Sequence, residues 1–167
     1  MTVIKVEAES TLPPERVLRA AYDFSGRRES IFPAVSVKRM SIHEQGLTDA
    51  DVTEGTRAGP IVNWERCRYD WSNPDRVVAT VIDSNVYATP GSRWEITATP
   101  IDGGSHVEMT WIREFRRGPR GRLFGTLFGL VGNRLFHGYA VRTIKNIEEL
   151  ERAEDPAPIP GASPGRS

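Results

Sequence analysis

Residues 119–154 read PRGRLFGTLFGLVGNRLFHGYAVRTIKNIEELERAE, the one long stretch whose apolar side chains recur at helical spacing. At about 100° per residue, Phe136, Ala140, Ile144, Ile147 and Leu150 share one face, while Arg142, Lys145, Asn146 and Glu149 turn away from it. That is the pattern of a helix laid on a core. Carried back toward the N-terminus, the same face meets Gly125, Gly129 and Gly132, with Leu123, Phe124, Leu127, Phe128 and Val131 about half a turn away. Two alternatives follow. Either the helix breaks near Gly132, or it runs on, leaves space beneath its first half and displays apolar side chains elsewhere.

What this helix covers is read from the preceding residues. Residues 2–11 alternate Ile4, Val6 and Ala8 with Lys5, Glu7 and Glu9, the period of a half-buried strand. Thr11 then offers an N-cap to a short helix with Pro13, Pro14 and Glu15 in its early turn and a stripe of Val17, Leu18, Ala21 and Tyr22. A second short helix spans Arg27 to Ile31 and stops before Pro33. The period next changes to two, and six strands are expected over 35–45, 51–58, 61–72, 75–84, 91–100 and 105–116. Turn signals separate them at Gln45-Gly46, Gly59-Pro60, Ser72-Asn73-Pro74-Asp75, Pro90-Gly91 and Asp102-Gly103-Gly104. The expectation is an α+β fold in which a curved antiparallel sheet of about seven strands grips a long C-terminal helix, with two short helices after strand one. Such a sheet encloses a pocket against the helix.

Length and composition agree with this. The 167 residues suit a single domain, 1–154, large enough to enclose a small cavity, followed by a Pro/Gly-rich tail, 155–167, expected to be disordered. Balanced charge, 22 basic against 22 acidic residues, argues against nucleic acid as a partner. The only cysteine, Cys67, excludes an internal disulfide and fits a cytoplasmic location. His43 and His106 are not spaced with acids or cysteines as metal ligands, so neither a metal nor another cofactor is expected.

Four local patterns resemble the SRPBCC superfamily, the helix-grip fold of START lipid-transfer domains, birch pollen allergen-like proteins and polyketide cyclase-like proteins. They are the opening TVIKVEAESTLPPERVLRAAYDF, the DVTEGTRAG stretch, the SRWEITATPIDGGSHVEMTW hairpin and the long C-terminal helix. The resemblance covers about residues 2–153 and implies a deep apolar cavity between sheet and helix. It carries no catalytic signature that matches residue by residue.

Alternation supplies the candidate lining. On 105–116 the inner face holds Val107, Met109, Trp111, Arg113 and Phe115; on 91–100 it holds Trp94, Ile96 and Ala98; on 61–72 it holds Cys67, Tyr69 and Trp71. Tyr87, Phe128 and His137 complete the ligand-binding candidates. Arg113 stands out because a buried guanidinium must meet a carboxylate, carbonyls, water or an anionic ligand group. Three functional readings follow. The first is binding or transport of a small hydrophobic ligand such as a lipid, polyketide, isoprenoid or aromatic compound. The second is a cyclase, aromatase or dehydratase in which Arg113, Tyr69 and His137 converge on a substrate. The third uses the basic run Arg113, Arg116, Arg117, Arg120, Arg122 and the apolar residues after it for peripheral membrane contact or protein interaction, with homodimerisation through the same surface a further option.

Overall fold

A computed structural model of the chain describes residues 1–58, 61–89 and 91–154. The expected turns at Gly59-Pro60 and at Pro90 and the expected tail, 155–167, lie outside them. The elements run β1 (Thr2–Ser10), α1 (Pro14–Ala21), α2 (Arg28–Ile31), β2 (Val35–Gln45), β3 (Asp49–Ala58), β4 (Ile61–Asp70), β5 (Arg76–Ser84), β6 (Arg93–Ile101), β7 (Gly104–Arg113) and α3 (Pro119–Glu154). The strands form one antiparallel sheet in the order β1-β7-β6-β5-β4-β3-β2. This is the helix-grip α+β arrangement.

Strand parity reads through to burial. Along β7 every odd position from Ser105 to Arg113 is buried and every even one is partly open. The neighbouring strands supply Trp94, Ile96 and Ala98 from β6 and Val77, Ala79 and Val81 from β5 to the same core. Cross-strand pairing sets Trp94 opposite Trp111 and Ile96 opposite Met109. The β6–β7 hairpin turns through Asp102 and Gly103, the latter at φ 81, where a glycine is unstrained. Gly104 is required for a different reason: a Cβ there would collide with the Ser10 carbonyl oxygen on β1.

Thr11 does not cap α1. Its backbone N–H and its hydroxyl both donate to Glu148 of α3, at 2.7 and 3.0 Å, so the β1–α1 junction is fastened to the long helix, and Pro13 stands at the N-cap. Farther along α3, the buried Glu151 faces Arg16, Arg19 and Arg27. An acidic helix C-terminus opposes the macrodipole, and these arginines offset it while docking α1 and α2 on α3.

The helix itself is unbroken from Pro119 to Glu154, so it does not break near Gly132; it runs on and displays apolar side chains elsewhere, but its first half is packed rather than left over empty space. Ala140, Ile144 and Ile147 are buried as their spacing requires. Gly132 does not interrupt the helix because it is pressed onto β1: a Cβ there would lie 2.9 Å from Ile4 Cδ1. Phe128, one turn earlier, packs on Phe115 and Phe136 and anchors the first half to the body. The apolar side chains displaced from the covered face, Leu123, Leu130, Val131, Leu135 and Val141, are exposed.

Candidate functional site

A cavity of about 200 Å³ lies between the sheet and α3. Its walls are Trp94 from β6, Met109 and Trp111 from β7, Phe32 after α2, and Leu135, Phe136 and Tyr139 from α3. The sheet-to-helix contact is aromatic, with Trp111 edge-on to Phe136 at 4.8 Å between ring centres. Ala34, Leu135 and Tyr139 also border an open shelf outside, which runs past Pro33, Val131, Gly138, Arg134 and Arg142. The mouth therefore lies between α3 and the Pro33–Ala34 segment.

The remaining lining is charged. Register places Glu54 of β3 directly opposite Glu65 of β4, two carboxylates side by side on the inner face. Like charges in that position repel, and each is answered by its own arginine. Arg28 from α2, 1% exposed, donates from Nε to Glu54 Oε1 at 2.7 Å and from Nη1 to the Ala21 carbonyl at 2.8 Å. Its Nη2 donates to the Tyr69 hydroxyl at 2.9 Å, and Tyr69 donates in turn to Glu54 Oε2. The guanidinium lies against the rings of Phe32 and Phe24 at 4.3 and 4.9 Å. This unit satisfies its own hydrogen bonds.

The second unit does not. Arg113 reaches Glu65 from the far side of the curved sheet at 3.4–3.5 Å and lies 4.5 Å from the centre of the Tyr87 ring. Within the protein, Arg113 Nε and Nη1, Glu65 Oε2 and Asn63 Oδ1 are buried without a hydrogen-bond partner. All belong to residues that line the cavity. Burial pushes the Glu65 carboxyl above its usual range; Arg113 draws it back in part, and Glu54 adds to the rise.

Of the residues proposed from strand parity, Tyr87, Trp94, Met109, Trp111 and Arg113 line this cavity. The others stand elsewhere, each for a local reason. Cys67 and Ile96 are packed into the continuous core beside it, and burial pushes the Cys67 thiol well up, which disfavours the thiolate form. Tyr69 is fully buried behind the wall, its hydroxyl held by Arg28 and Glu54. Trp71 lies past the end of β4, stacked on Tyr22 at 4.6 Å, and donates from Nε1 to the Leu47 carbonyl. Phe115 and Phe128 pack on one another, closing the space under the start of α3. His137 is exposed on the opposite flank of the helix, beside Lys5, Val6 and Glu7 of β1.

Sequence reasoning missed Arg28, Glu54, Asn63, Glu65 and Tyr139. Asn63 and Glu65 share the parity of Cys67 and Tyr69, and Glu54 that of the buried Val52, so alternation extended back from Cys67 through Glu65 to Asn63 and on from Val52 to Glu54 would have found them. Arg28, in a four-residue helix, carries no such signal. The basic run does not act as one patch: Arg113 is buried on Glu65, while Arg116 reaches Asp83 at 3.3 Å. Among the described residues no group of three or more His, Cys, Asp or Glu could hold a metal, and no helix is long and apolar enough to cross a membrane.

A family model described as polyketide cyclase / dehydrase and lipid transport matches residues 1–150. Solved structures with the same fold include the protein TTHA0849 from Thermus thermophilus, with a TM-score of 0.72 and 18% identity over 92% of this chain and 99% of that one. The Zhui aromatase/cyclase of a Streptomyces species has a TM-score of 0.71 and 16% identity over 93% and 97%. A START superfamily protein from Mycobacterium smegmatis has a TM-score of 0.68 and 12% identity over 89% and 98%. At such identities these likenesses speak for the fold alone. No curated protein matches the chain.

Proposed function

Because the chain belongs to the polyketide cyclase / dehydrase and lipid transport family, we propose that it binds a small, largely apolar, uncharged molecule in the cavity between sheet and α3. The observation that carries this reading is an apolar, aromatic-walled space ending in buried polar atoms that accept or donate no hydrogen bond within the protein, two of them held only by the 3.4 Å Arg113–Glu65 ion pair. Such atoms are costly to bury unless something completes their hydrogen bonds. The size narrows the ligand. At about 200 Å³, the cavity is smaller than the ~300–1,000 Å³ typical of ligand pockets, which suits a compact body of one or two rings better than an extended acyl chain. The charges narrow it further: two arginines and two glutamates line the space and cancel, so an uncharged ligand is favoured.

Organic extraction of the purified protein followed by mass spectrometry, together with calorimetric titration of a bicyclic aromatic such as β-naphthol, tests the reading. Saturable binding is expected, and Leu135→Trp, at an exposed position on the mouth, should weaken it by filling the entrance. Failure of every small apolar compound to bind the wild-type protein would remove the reading.

The cyclase, aromatase or dehydratase alternative is supported at the level of the family. In the form that joins Arg113, Tyr69 and His137 on one substrate it has no common substrate position, since only Arg113 faces the cavity. A membrane-contact reading draws on a separate observation. The exposed Leu130, Val131, Leu135 and Val141 lie beside the exposed Arg134 and Arg142 at the mouth, and α3 carries no acidic residue before Glu148. This composition suits shallow contact with an anionic bilayer. Co-sedimentation with phosphatidylserine vesicles at low salt, lost with neutral vesicles, is the expected result; indifference to both, or self-association through the same stripe, would count against it.

A further inference from the structure

Charge on this chain is balanced overall and segregated locally. From Arg116 to Lys145 it carries seven cations and no acidic residue, which leaves 15 basic against 22 acidic residues in the rest of the chain. Helix stability does not explain the run, because its first four cations lie at or just before the first turn of α3, where positive charge opposes the macrodipole. Pairing within the protein accounts for part of it: Arg116 reaches Asp83 and Lys145 reaches Glu149. Among the described residues, however, no carboxylate lies in ion-pair range of Arg134 or Arg142, and both are exposed. These two arginines flank a groove between α3 and the Pro33–Ala34 segment, with Val131, Leu135, Gly138 and Tyr139 along its length. Leu135 is 64% and Val131 47% exposed, and nothing lies within 4 Å of where a Gly138 Cβ would stand, so another backbone can approach closely there.

We propose that this groove docks an acidic amphipathic helix of a partner protein, with its apolar stripe on Val131, Leu135 and Gly138 and its carboxylates on Arg134 and Arg142. The dimensions suit such a rod. Val131 to Arg142 is eleven residues of helix, about 16 Å or three turns, and Arg134 and Arg142 stand about 12 Å apart along the axis. On a helix lying alongside, acidic residues seven apart share one face and are spaced by nearly that distance. A second copy of this chain fits poorly, since its own α3 would bring unpaired arginines against unpaired arginines. An anionic bilayer satisfies the same charge, but a plane meets only the rim of a groove formed by two separate segments, and it makes no use of the arginine spacing. Leu135 also belongs to the cavity wall, so a partner seated here covers the mouth.

The experiment uses the full chain and three dye-labelled peptides of about 20 residues, long enough to form a helix on a surface. One sets a leucine stripe beside glutamates seven apart, the second shuffles the same residues, and the third carries lysine in place of glutamate. Fluorescence anisotropy and circular dichroism follow binding and helix formation at low and physiological salt. The spaced acidic peptide should bind saturably, gain helix when bound and weaken with salt. It should bind roughly tenfold or more tightly than either of the others, because like charges across an interface repel and misplaced ones go unpaired. Arg134→Glu/Arg142→Glu should lose that preference and favour the lysine peptide, a charge swap that a misfolded variant would not produce. Lys38→Glu, an exposed change on β2, should leave binding intact. Phosphatidylserine vesicles form the competing arm. Equal binding of the shuffled peptide, binding that survives the double reversal, or vesicle binding through Arg134 and Arg142 without peptide binding would overturn the proposal, the last by giving the face to the bilayer. Titration of β-naphthol into the same samples reads the cavity separately, so failure of the docking proposal and failure of the ligand-binding reading are distinguishable.

Discussion

Replacing Arg28 by methionine tests whether the completed unit under α2 is a closed structural element. The guanidinium is 1% exposed, is bound to Glu54 at 2.7 Å, to the Ala21 carbonyl and to Tyr69, and is sandwiched near Phe24 and Phe32. Methionine retains the apolar bulk, so the loss is electrostatic: Glu54, itself buried, keeps only the Tyr69 hydroxyl, and the Ala21 carbonyl loses its donor. Breaking a buried pair by removing one partner costs about 3–5 kcal/mol. At roughly 2–4 °C per kcal/mol for a domain of this size, the expected drop in Tm is about 6–20 °C. Circular dichroism of thermal and urea unfolding measures it. The double variant Arg28→Met/Glu54→Gln should recover at least half of the loss, because the stranded carboxylate is then gone, and the double-mutant cycle should show strong coupling. A loss below about 1 kcal/mol for Arg28→Met, or a double variant as unstable as the sum of the two singles, would refute the account of a desolvated, mutually dependent pair.

Two further predictions concern glycines and pH. Gly129→Ala, where a Cβ meets nothing within 4 Å, should stabilise α3 by about 0.5–1 kcal/mol. Gly104→Ala, by contrast, should destabilise strongly through its clash with the Ser10 carbonyl; urea melts of the two proteins giving similar values would refute the packing described for the β1–β7 pair. Burial raises the Glu65 pKa in the folded state, with Arg113 opposing and Glu54 assisting, and Tyr87, Cys67 and Tyr139 are the other titratable groups that interact with it. The folded protein therefore holds this proton more tightly than the unfolded chain. The Glu65 contribution becomes more favourable as pH falls through the raised value toward the ordinary carboxylate range, and less favourable as pH rises back through that window. Asp51, held below the usual range by hydrogen bonds from Arg66, works in the opposite sense: its contribution is present above the ordinary range and lost as pH falls through its lowered value. Stability against pH for wild-type and Glu65→Gln proteins should diverge in favour of the wild type on acidification; parallel profiles would contradict the assignment.

Much of the architecture was legible because it depends on period. Alternation along β5, β6 and β7 marks the buried face without reference to any partner strand, and the 3.6-residue spacing of Ala140, Ile144 and Ile147 marks the face of α3 that meets the sheet. The hairpin at Gly103 was readable from its turn chemistry. Those features are local, and local sequence is sufficient for them. Period also showed that Arg113 points inward, so its need for a partner could be stated before the partner was known.

Which partner it meets, and what the cavity is, required tertiary structure. Glu65 lies 48 residues from Arg113 along the chain, and Arg28 lies 26 from Glu54. Such pairs form through sheet curvature and the docking of a four-residue helix, neither of which leaves a periodic trace. Parity assigned Cys67, Tyr69 and Ile96 to the inner face but could not say whether a side chain there meets empty space or another side chain. The same holds for α3. Sequence by itself determined that its glycines share a face with its packing residues; only the fold decided that Gly132 is pressed against Ile4, that the helix runs through it unbroken, and that the mouth opens beside Leu135. A face is a property of the backbone period, whereas a cavity is the difference between two packed surfaces, and that difference exists only once both are in place.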